Sequence, residues 1–187
     1  MTTNPYASPE SQVLDISPAD TAETSAPFFA VSTTKLVVLS FCTLGIYQLY
    51  WFYQNWRLIK RRTRENIMPV WRAIFGIFFC YSLFSRVRNH DPQSSAAKLD
   101  AGPLAAGWIV LGILARLPEP YWMITFLSVF VLLPVQGAIN SINRQEAPDS
   151  DPNSRFSAWN WLAVVLGLPM LALMVYATLF IPTEQAL

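Results

Sequence analysis

The stretch CTLGIYQLYWFYQNWRLIKRR, residues 42–62, places an apolar run, a cluster of aromatic rings and a block of positive charge end to end. This order is typical of a helix that leaves a lipid bilayer, because Trp and Tyr favour the headgroup region and Lys and Arg favour the cytoplasmic side. The stretch therefore predicts a membrane protein. It also raises the question of whether its rings and charges form a binding site.

The composition of the whole chain also indicates lipid exposure. Of its 187 residues, 53% are apolar and only 13% are charged, whereas soluble domains carry about 25% charged residues. The net charge of +1 gives no sign of a polyanionic partner, so we predict no nucleic-acid binding. The charge is unevenly placed, because six of the thirteen Lys and Arg residues lie between Arg57 and Arg72, against the single acid Glu65.

Five apolar runs define the predicted fold. They cover residues 35–53, 73–85, 104–117, 121–139 and 159–181. A transmembrane helix needs about 17–25 apolar residues, so the run at 73–85 is short. It is either a re-entrant or interfacial helix, or a tilted span that thins the bilayer locally. We predict an all-α integral membrane protein with four transmembrane helices plus one short membrane-embedded or interfacial helix.

The two ends of the chain differ from the apolar body. Residues 1–34 are rich in Pro, Ser, Thr and Ala, and they hold four acids without a Lys or Arg. Such a segment buries too little apolar surface to offset the entropy lost on ordering. We therefore predict a mobile N-terminal tail at 1–34, a helical transmembrane domain at 35–181 and a C-terminal tail at 182–187.

The distribution of Lys and Arg predicts the orientation. Residues 57–72 carry the strongest cytoplasmic signal, because short loops rich in Lys and Arg stay inside. If the first run crosses the membrane, the N-terminal tail then lies outside. The alternative is a bend of the first run at Gly45, which keeps the N-terminus inside. If residues 73–85 span the membrane, the orientation of everything after them inverts.

Aromatic rings cover nearly every side of the helix predicted after Gly45. The rings taken as an interfacial belt are Tyr47, Tyr50, Trp51, Tyr53 and Trp56. Amphipathic rings on all sides favour a belt at headgroup depth, where one part of the ring is apolar and the other is wet. The alternative is stacking on a ligand or binding of a cation by the ring faces.

A basic face follows the aromatic cluster. Its members, at spacings i, i+3, i+4 and i+7, are Arg57, Lys60, Arg61 and Arg64. Residues at these spacings share one face of a helix. We predict that this face contacts anionic lipid headgroups or a partner. The alternative is a determinant of topology that has no specific ligand.

Three amide side chains share one face near the end of the fourth run. Gln136, Asn140 and Asn143 are spaced i, i+4 and i+7. Side-chain amides in this setting bridge helices or line a polar path. We predict interhelical contact or solvation at the interface, with a polar path as the alternative.

No sequence motif supports a reaction. The only histidine, His90, has no Cys or second His nearby, and metal ligation needs more ligands than this. Hydrolase, zinc-protease, nucleotide and dinucleotide motifs are absent from the sequence. We predict no catalytic residue, no metal and no cofactor.

The residues TLGIYQLYWFYQNW resemble the T-x-G-I-Y-x-x-Y-W-F-Y signature of small bacterial inner-membrane proteins grouped as a domain of unknown function. FFAVSTTKLVVLS before them and MPVWRAIFGIFFCYSLF after them are similar to one proteobacterial branch. The resemblance covers about residues 28–88. NPYASP near the N-terminus is similar to short tails of other bacterial membrane proteins. The resemblance implies a helical inner-membrane protein without an established activity, and it supplies no catalytic residues.

These patterns favour a non-enzymatic, multi-pass protein of the bacterial inner (cytoplasmic) membrane. We predict an interaction, assembly or membrane-organising component whose partners are membrane lipids, a protein or further copies of itself. The first alternative is a small oligomeric channel or transporter subunit. The second is a membrane enzyme that acts on lipid, with Arg72, Arg86, His90 and Asp91 as its candidate groups.

Overall fold

The computed structural model describes residues 26–92 and 95–180, and all regular structure in these ranges is helical. The α-helices are α1 (Thr33–Cys42), α2 (Ile46–Thr63), α3 (Pro69–Ile74), α4 (Gly76–Arg88), α5 (Ala101–Ile113), α6 (Ser128–Glu146) and α7 (Ala158–Phe180). Short 3₁₀ helices cover Ser95–Lys98, Leu114–Arg116 and Tyr121–Leu127. The prediction of an all-helical protein is confirmed for the described residues.

A tight turn at residues 43–45 breaks the first apolar run. Gly45 has a φ of 89°, in the left-handed region where a residue without Cβ is favoured. The Thr43 hydroxyl donates to the Leu39 carbonyl at 2.7 Å and accepts from the Tyr47 amide at 2.9 Å, so it caps the helices on both sides. The prediction of one span over residues 35–53 is therefore wrong. The ten residues of α1 extend only about 15 Å, half of a bilayer core.

The turn folds α1 and α2 into a hairpin, which returns the chain to the end where it started. Phe28, before α1, and Arg62, near the end of α2, line the same cavity. The N-terminal part of the described chain and the basic stretch therefore lie at one end of the bundle. The structure has the bend at Gly45 that the sequence left open as an alternative.

Two helical stretches are long and apolar enough to cross a membrane within the described residues. They are Tyr121–Glu146 and Ala158–Phe180. Four spanning helices are not supported, because α1 and α5, which lie in two of the four predicted spans, contain only ten and thirteen residues. The second run is interrupted at Phe75, between α3 and α4. Hydropathy detects an apolar run, but it does not detect a break in the helix.

The core lies between α2, α4 and α6. Trp51, Phe52 and Trp56 of α2 are completely buried against apolar side chains of α4 and α6, such as Phe84 and Ile139. At the other end of α2, Gln48 donates to Ser128 at 3.1 Å and accepts from Trp108 at 2.9 Å. The Gln48 side chain is thereby paired as well as packed.

The last helix, α7, is different because it is apolar and exposed. Only Gly167 is buried, and large apolar side chains such as Leu166, Leu173 and Phe180 stay uncovered. A surface that is apolar over 23 residues is typical of contact with lipid.

The predicted N-terminal tail is too long, because residues 26–32 belong to the folded bundle. Phe28 and Val31 are buried, at 3% and 0% exposure. Lys35 is also buried, and its amine donates to Asn153 at 2.7 Å and to the Arg155 carbonyl at 2.8 Å. The remainder of that tail, residues 1–25, and the predicted tail at 182–187 lie outside the described residues.

Gly167 sets the closest approach between α1 and α7. A Cβ at this position would lie 1.8 Å from the Cys42 carbonyl oxygen. Because this oxygen belongs to the backbone, it moves only if a helix moves. Contacts between small residues of this kind allow helices to associate in a membrane.

We expect Gly167→Ala to destabilise the protein by about 1–3 kcal/mol, the usual effect of overpacking. Thermal unfolding in detergent measures the change. Gly112→Ala in α5 is the matched control, because its Cβ would meet no atom within 4 Å. Equal melting temperatures for the two variants would show that the contact between α1 and α7 does not stabilise the protein.

Candidate functional site at the basic end of the bundle

An extended segment, residues 27–32, lies along α2 and α6, and we call it the strap. Its backbone forms no helix, so its buried N–H and C=O groups need partners from elsewhere. Asn143 supplies two of them. The Phe28 amide donates to Oδ1 of Asn143 at 3.2 Å, and Nδ2 of Asn143 donates to the Phe28 carbonyl at 2.9 Å.

Four more side-chain amides hold the rest of the strap. At Phe29, Oδ1 of Asn55 accepts from the amide at 3.1 Å and Nε2 of Gln136 donates to the carbonyl at 3.2 Å. The Ala30 carbonyl accepts from Nδ2 of Asn153 at 3.0 Å. The Val31 carbonyl accepts from Nδ2 of Asn140 at 2.9 Å. These amides come from α2, α6 and the loop after α6. The strap therefore ties three parts of the molecule together.

The structure gives the amide face of α6 a definite set of contacts. Gln136, Asn140 and Asn143 all bond to the strap, and Gln136 also accepts from the Trp51 indole of α2. Asn140 and Asn143 border a cavity of about 380 Å³ beside Arg144, but Gln136 is not among the described residues that line it. The contacts of the amide face within the described residues therefore go chiefly to the strap and to Trp51.

Three helices end close together beside the strap. Arg62 of α2 and His90, just after α4, both contact the Glu146 carboxylate at the end of α6, Arg62 at 2.7 Å. The last turns of α2, α4 and α6 all carry basic residues. Cations are favoured there because the C-terminal end of a helix carries a partial negative charge.

A second ion pair lies next to the first. Both terminal nitrogens of Arg86 donate to the Glu65 carboxylate at 2.8 Å, a two-pronged geometry that fixes the guanidinium. These hydrogen bonds from Arg86 hold the pKa of the Glu65 carboxyl below its ordinary value. Glu65 therefore stays ionised, and paired with Arg86, at neutral pH.

The candidate enzyme groups lie in two neighbouring settings, and Arg72 and Arg86 are both beside the Trp56 ring. Arg86 and His90 line the same cavity. Arg72 instead lies over the Trp56 ring, with its guanidinium carbon 4.5 Å from the ring centroid, and also contacts Phe79. Its role in the described structure is packing against the core.

The cavity between α2, α4 and the strap has a volume of about 550 Å³. Its described lining consists of Pro27, Phe28, Ile59, Arg62, Thr63, Tyr81, Ser82, Ser85, Arg86, Asn89 and His90. The lining combines hydroxyl, amide and guanidinium groups with apolar surface, and none of these lining residues is an acid. The buried hydroxyl oxygen of Ser85 has no hydrogen-bond partner within the described part of the chain.

The predicted aromatic belt needs correction. Trp51 and Trp56 have no exposed surface, because they pack inside the bundle. Tyr47 and Tyr53 are half-buried against the core, and Tyr50 alone among the five is exposed. The belt stays a prediction for Tyr47, Tyr50 and Tyr53, whereas Trp51 and Trp56 pack against other helices.

The predicted basic face is only partly on the helix. Lys60 and Arg61 are exposed in the last turn of α2, whereas Arg57 is half-buried. Arg64 leaves the helical direction, because it caps α2 with a φ of 53°. Lys60, Arg61 and Arg64 make no ion pair with any residue in the described ranges.

Sequence reasoning named Arg86 and His90 as candidates, but it missed the other residues that surround the cavity. Arg62 falls between the members of the predicted basic face, and Ser85 was read only as the end of an apolar run. Glu146 carried one usable signal, since it lies three residues after Asn143 and so continues the amide face of α6.

Residues 31–124 match the domain of unknown function DUF4234, and the match covers half of the chain. The chain belongs to the DUF4234 family. The DUF4234 region begins in the strap and contains α1 to α5, including the turn at Gly45, but neither α6 nor α7. No curated protein and no solved structure matches the chain. Membership of an uncharacterised family is confirmed, whereas the detailed signature and the bacterial source stay predictions.

We expect Asn143→Ala to release the strap, because the substitution leaves two buried backbone groups of Phe28 without partners. Each such group costs about 1–3 kcal/mol. The measurement is the rate of chymotrypsin cleavage at Phe28 and Phe29, mapped by mass spectrometry, together with the melting temperature. Asn66→Ala, at an exposed loop position, is the matched control. Equal cleavage rates in the two variants would contradict a role of Asn143 in holding the strap.

Proposed function

We propose that this protein is a non-enzymatic, multi-pass component of the bacterial inner membrane that binds anionic lipid through its basic end and thereby organises or assembles material at the cytoplasmic face. The observation that carries the proposal is a patch of cations that form no ion pair with the described residues, beside an exposed apolar surface. We define the basic patch as Lys60, Arg61 and Arg64.

The apolar surface next to the basic patch comes from the segment that follows it. Met68, Val70, Trp71 and Ile74 are each more than half exposed. They lie at the start of α3 and along it, directly after the basic patch in the chain. Exposed apolar residues next to Lys and Arg are typical of a segment that passes from the headgroup region into the apolar layer. Anionic headgroups would contribute about 1 kcal/mol per basic residue.

The proposed topology keeps the basic end in the cytoplasm. The hairpin of α1 and α2 enters the membrane and returns, and α3 with α4 does the same. The stretch Ala101–Arg116 then leads outward, Tyr121–Glu146 returns to the basic end, and α7 leads outward again. Supporting this arrangement, α2, α4 and α6 all end at the site of the Glu146 contacts.

The alternatives draw less support from the described contacts. A channel along the amide face would need Gln136, Asn140 and Asn143 to face water, but their hydrogen bonds go to the strap. A lipid enzyme would need convergent reactive groups, and Arg72 is stacked on Trp56 instead. Lipid binding needs only the cations and apolar side chains that are exposed.

Reporter fusions test the topology. We expect a fluorescent protein fused to the N-terminus to be active in the cytoplasm, and alkaline phosphatase inserted next to Glu119 to be active outside. If the fluorescent protein at the N-terminus is silent and alkaline phosphatase fused to the same end is active, the N-terminus lies outside. That result would contradict the re-entrant hairpin.

Charge removal tests lipid binding. We expect the triple variant Lys60→Gln, Arg61→Gln, Arg64→Gln to lose about 3 kcal/mol of preference for phosphatidylglycerol over phosphatidylcholine, roughly a hundredfold, at low salt. Native mass spectrometry of protein released from mixed nanodiscs measures the retained lipid.

The matched control removes the same charge from exposed positions outside the basic patch. It combines Lys98→Gln, Arg116→Gln and Arg155→Gln. If both triple variants lose the same preference, net charge explains the effect. If neither loses any, the proposed function is wrong.

A further inference from the structure

We propose that the cavity between α2, α4 and the strap is a binding site for one phosphate ester that also bears hydroxyl groups, of the glycerol phosphate type. The inference rests on the proposed function, because it supposes that the basic end meets anionic headgroups. It goes further by assigning a site with a fixed number of ligands, formed by residues outside the basic patch.

The donor set of the cavity fits a phosphate. Arg62 and Arg86 place two guanidinium groups in its lining, and His90 lies between them and the strap. Guanidinium matches the geometry of phosphate oxygens, which accept two parallel hydrogen bonds from it. The pair with Glu65 occupies one N–H on each terminal nitrogen of Arg86, so further N–H groups stay available.

The carboxylates hold these cations without occupying the cavity. Glu146 contacts both Arg62 and His90, and Glu65 holds Arg86, yet neither acid is among the described lining residues. The guanidinium groups are therefore fixed in position before a ligand arrives. A preorganised site loses less side-chain entropy on binding.

Ser85 supplies the observation that points to a missing partner. Its hydroxyl oxygen is buried in the cavity wall and forms no hydrogen bond with the described residues. Buried polar groups are nearly always paired, because leaving one unpaired is unfavourable by about 1–3 kcal/mol. A rotation of the Ser85 side chain would bring its hydroxyl to a ligand oxygen in the cavity, and Ser82 in the same lining adds a second hydroxyl.

The shape and the remaining lining favour a headgroup over a bare ion. A volume of about 550 Å³ is in the range of small-molecule sites and far larger than one phosphate needs. Asn89 and Tyr81 offer polar partners for ligand hydroxyls, whereas Phe28 and Ile59 provide an apolar wall. A phosphate that carries a glycerol group would use both kinds of surface.

Ser85→Ala is the sharpest variant, because it removes the unpaired hydroxyl without breaking a described hydrogen bond. We expect it to keep or raise the melting temperature, because an unfavourable unpaired group is removed, and to bind short-chain phosphatidylglycerol about tenfold more weakly. Titration of the full chain in neutral detergent, followed by calorimetry, gives the affinity and the number of bound molecules, which we expect to be one.

Ser40→Ala is the matched control. Ser40 in α1 is also buried, and its hydroxyl also has no partner among the described residues, but it does not line the cavity. We expect it to bind like the wild type. Arg86→Gln is the second test, with a larger loss of affinity and, because Glu65 loses its partner, a lower melting temperature.

Competition distinguishes a soluble phosphate ester from a lipid headgroup, which present the same chemical groups to the cavity. If glycerol 3-phosphate displaces the lipid in the millimolar range or below, the site accepts a soluble phosphate ester. If it does not, and phosphatidylglycerol still binds at one per chain, the site requires the lipid. Both results support the cavity, provided that Ser85→Ala weakens binding and Ser40→Ala does not.

The inference is overturned if wild-type, Ser85→Ala and Arg86→Gln proteins bind phosphatidylglycerol equally, or if none binds with a defined stoichiometry. This failure is distinct from failure of the proposed function. If only the cavity inference fails, the basic-patch variant still loses its preference for phosphatidylglycerol in nanodiscs. If only the proposed function fails, removal of the basic patch changes nothing. One lipid still binds per chain, and Ser85→Ala still weakens that binding.

Discussion

The need to pair the backbone of the strap organises the basic end of this molecule. Residues 28–31 are extended and packed into the bundle, where unpaired N–H and C=O groups are costly. A side-chain amide carries both a donor and an acceptor, so Asn143 alone can pair both groups of Phe28. Because the other amides come from α2, α6 and the loop after α6, the strap fixes how these parts meet.

The turn at Gly45 makes this arrangement possible. It reverses the first apolar run, so that the strap and the end of α2 reach the same end of the bundle. Three helix ends then converge on Glu146, and their partial negative charge is balanced by Arg and Lys residues. The cavity is a consequence of this convergence, since the strap forms one wall and α2 and α4 form the others.

The basic end therefore offers two different kinds of cation. Lys60 and Arg61 are exposed and free to adapt, which suits many headgroups and leaves their attraction open to screening by salt. Arg62 and Arg86 are held by carboxylates, and they surround a defined volume together with hydroxyl groups. The first kind suits a membrane surface, and the second suits one bound molecule.

The sequence by itself determined the helical class, the long apolar helices at 121–146 and 158–180, and the amide face of α6, because composition and helical periodicity act locally.

Only the tertiary structure decided how the first run bends, since hydropathy measures transfer to lipid rather than helix continuity. Likewise, the burial of Trp51 and Trp56 depends on α4 and α6, which lie far away in the chain. The strap needed Asn143, 115 residues distant, to become ordered. Long-range pairing of buried polar groups leaves no periodic signal in a single sequence, and for that reason the site was visible only in the folded chain.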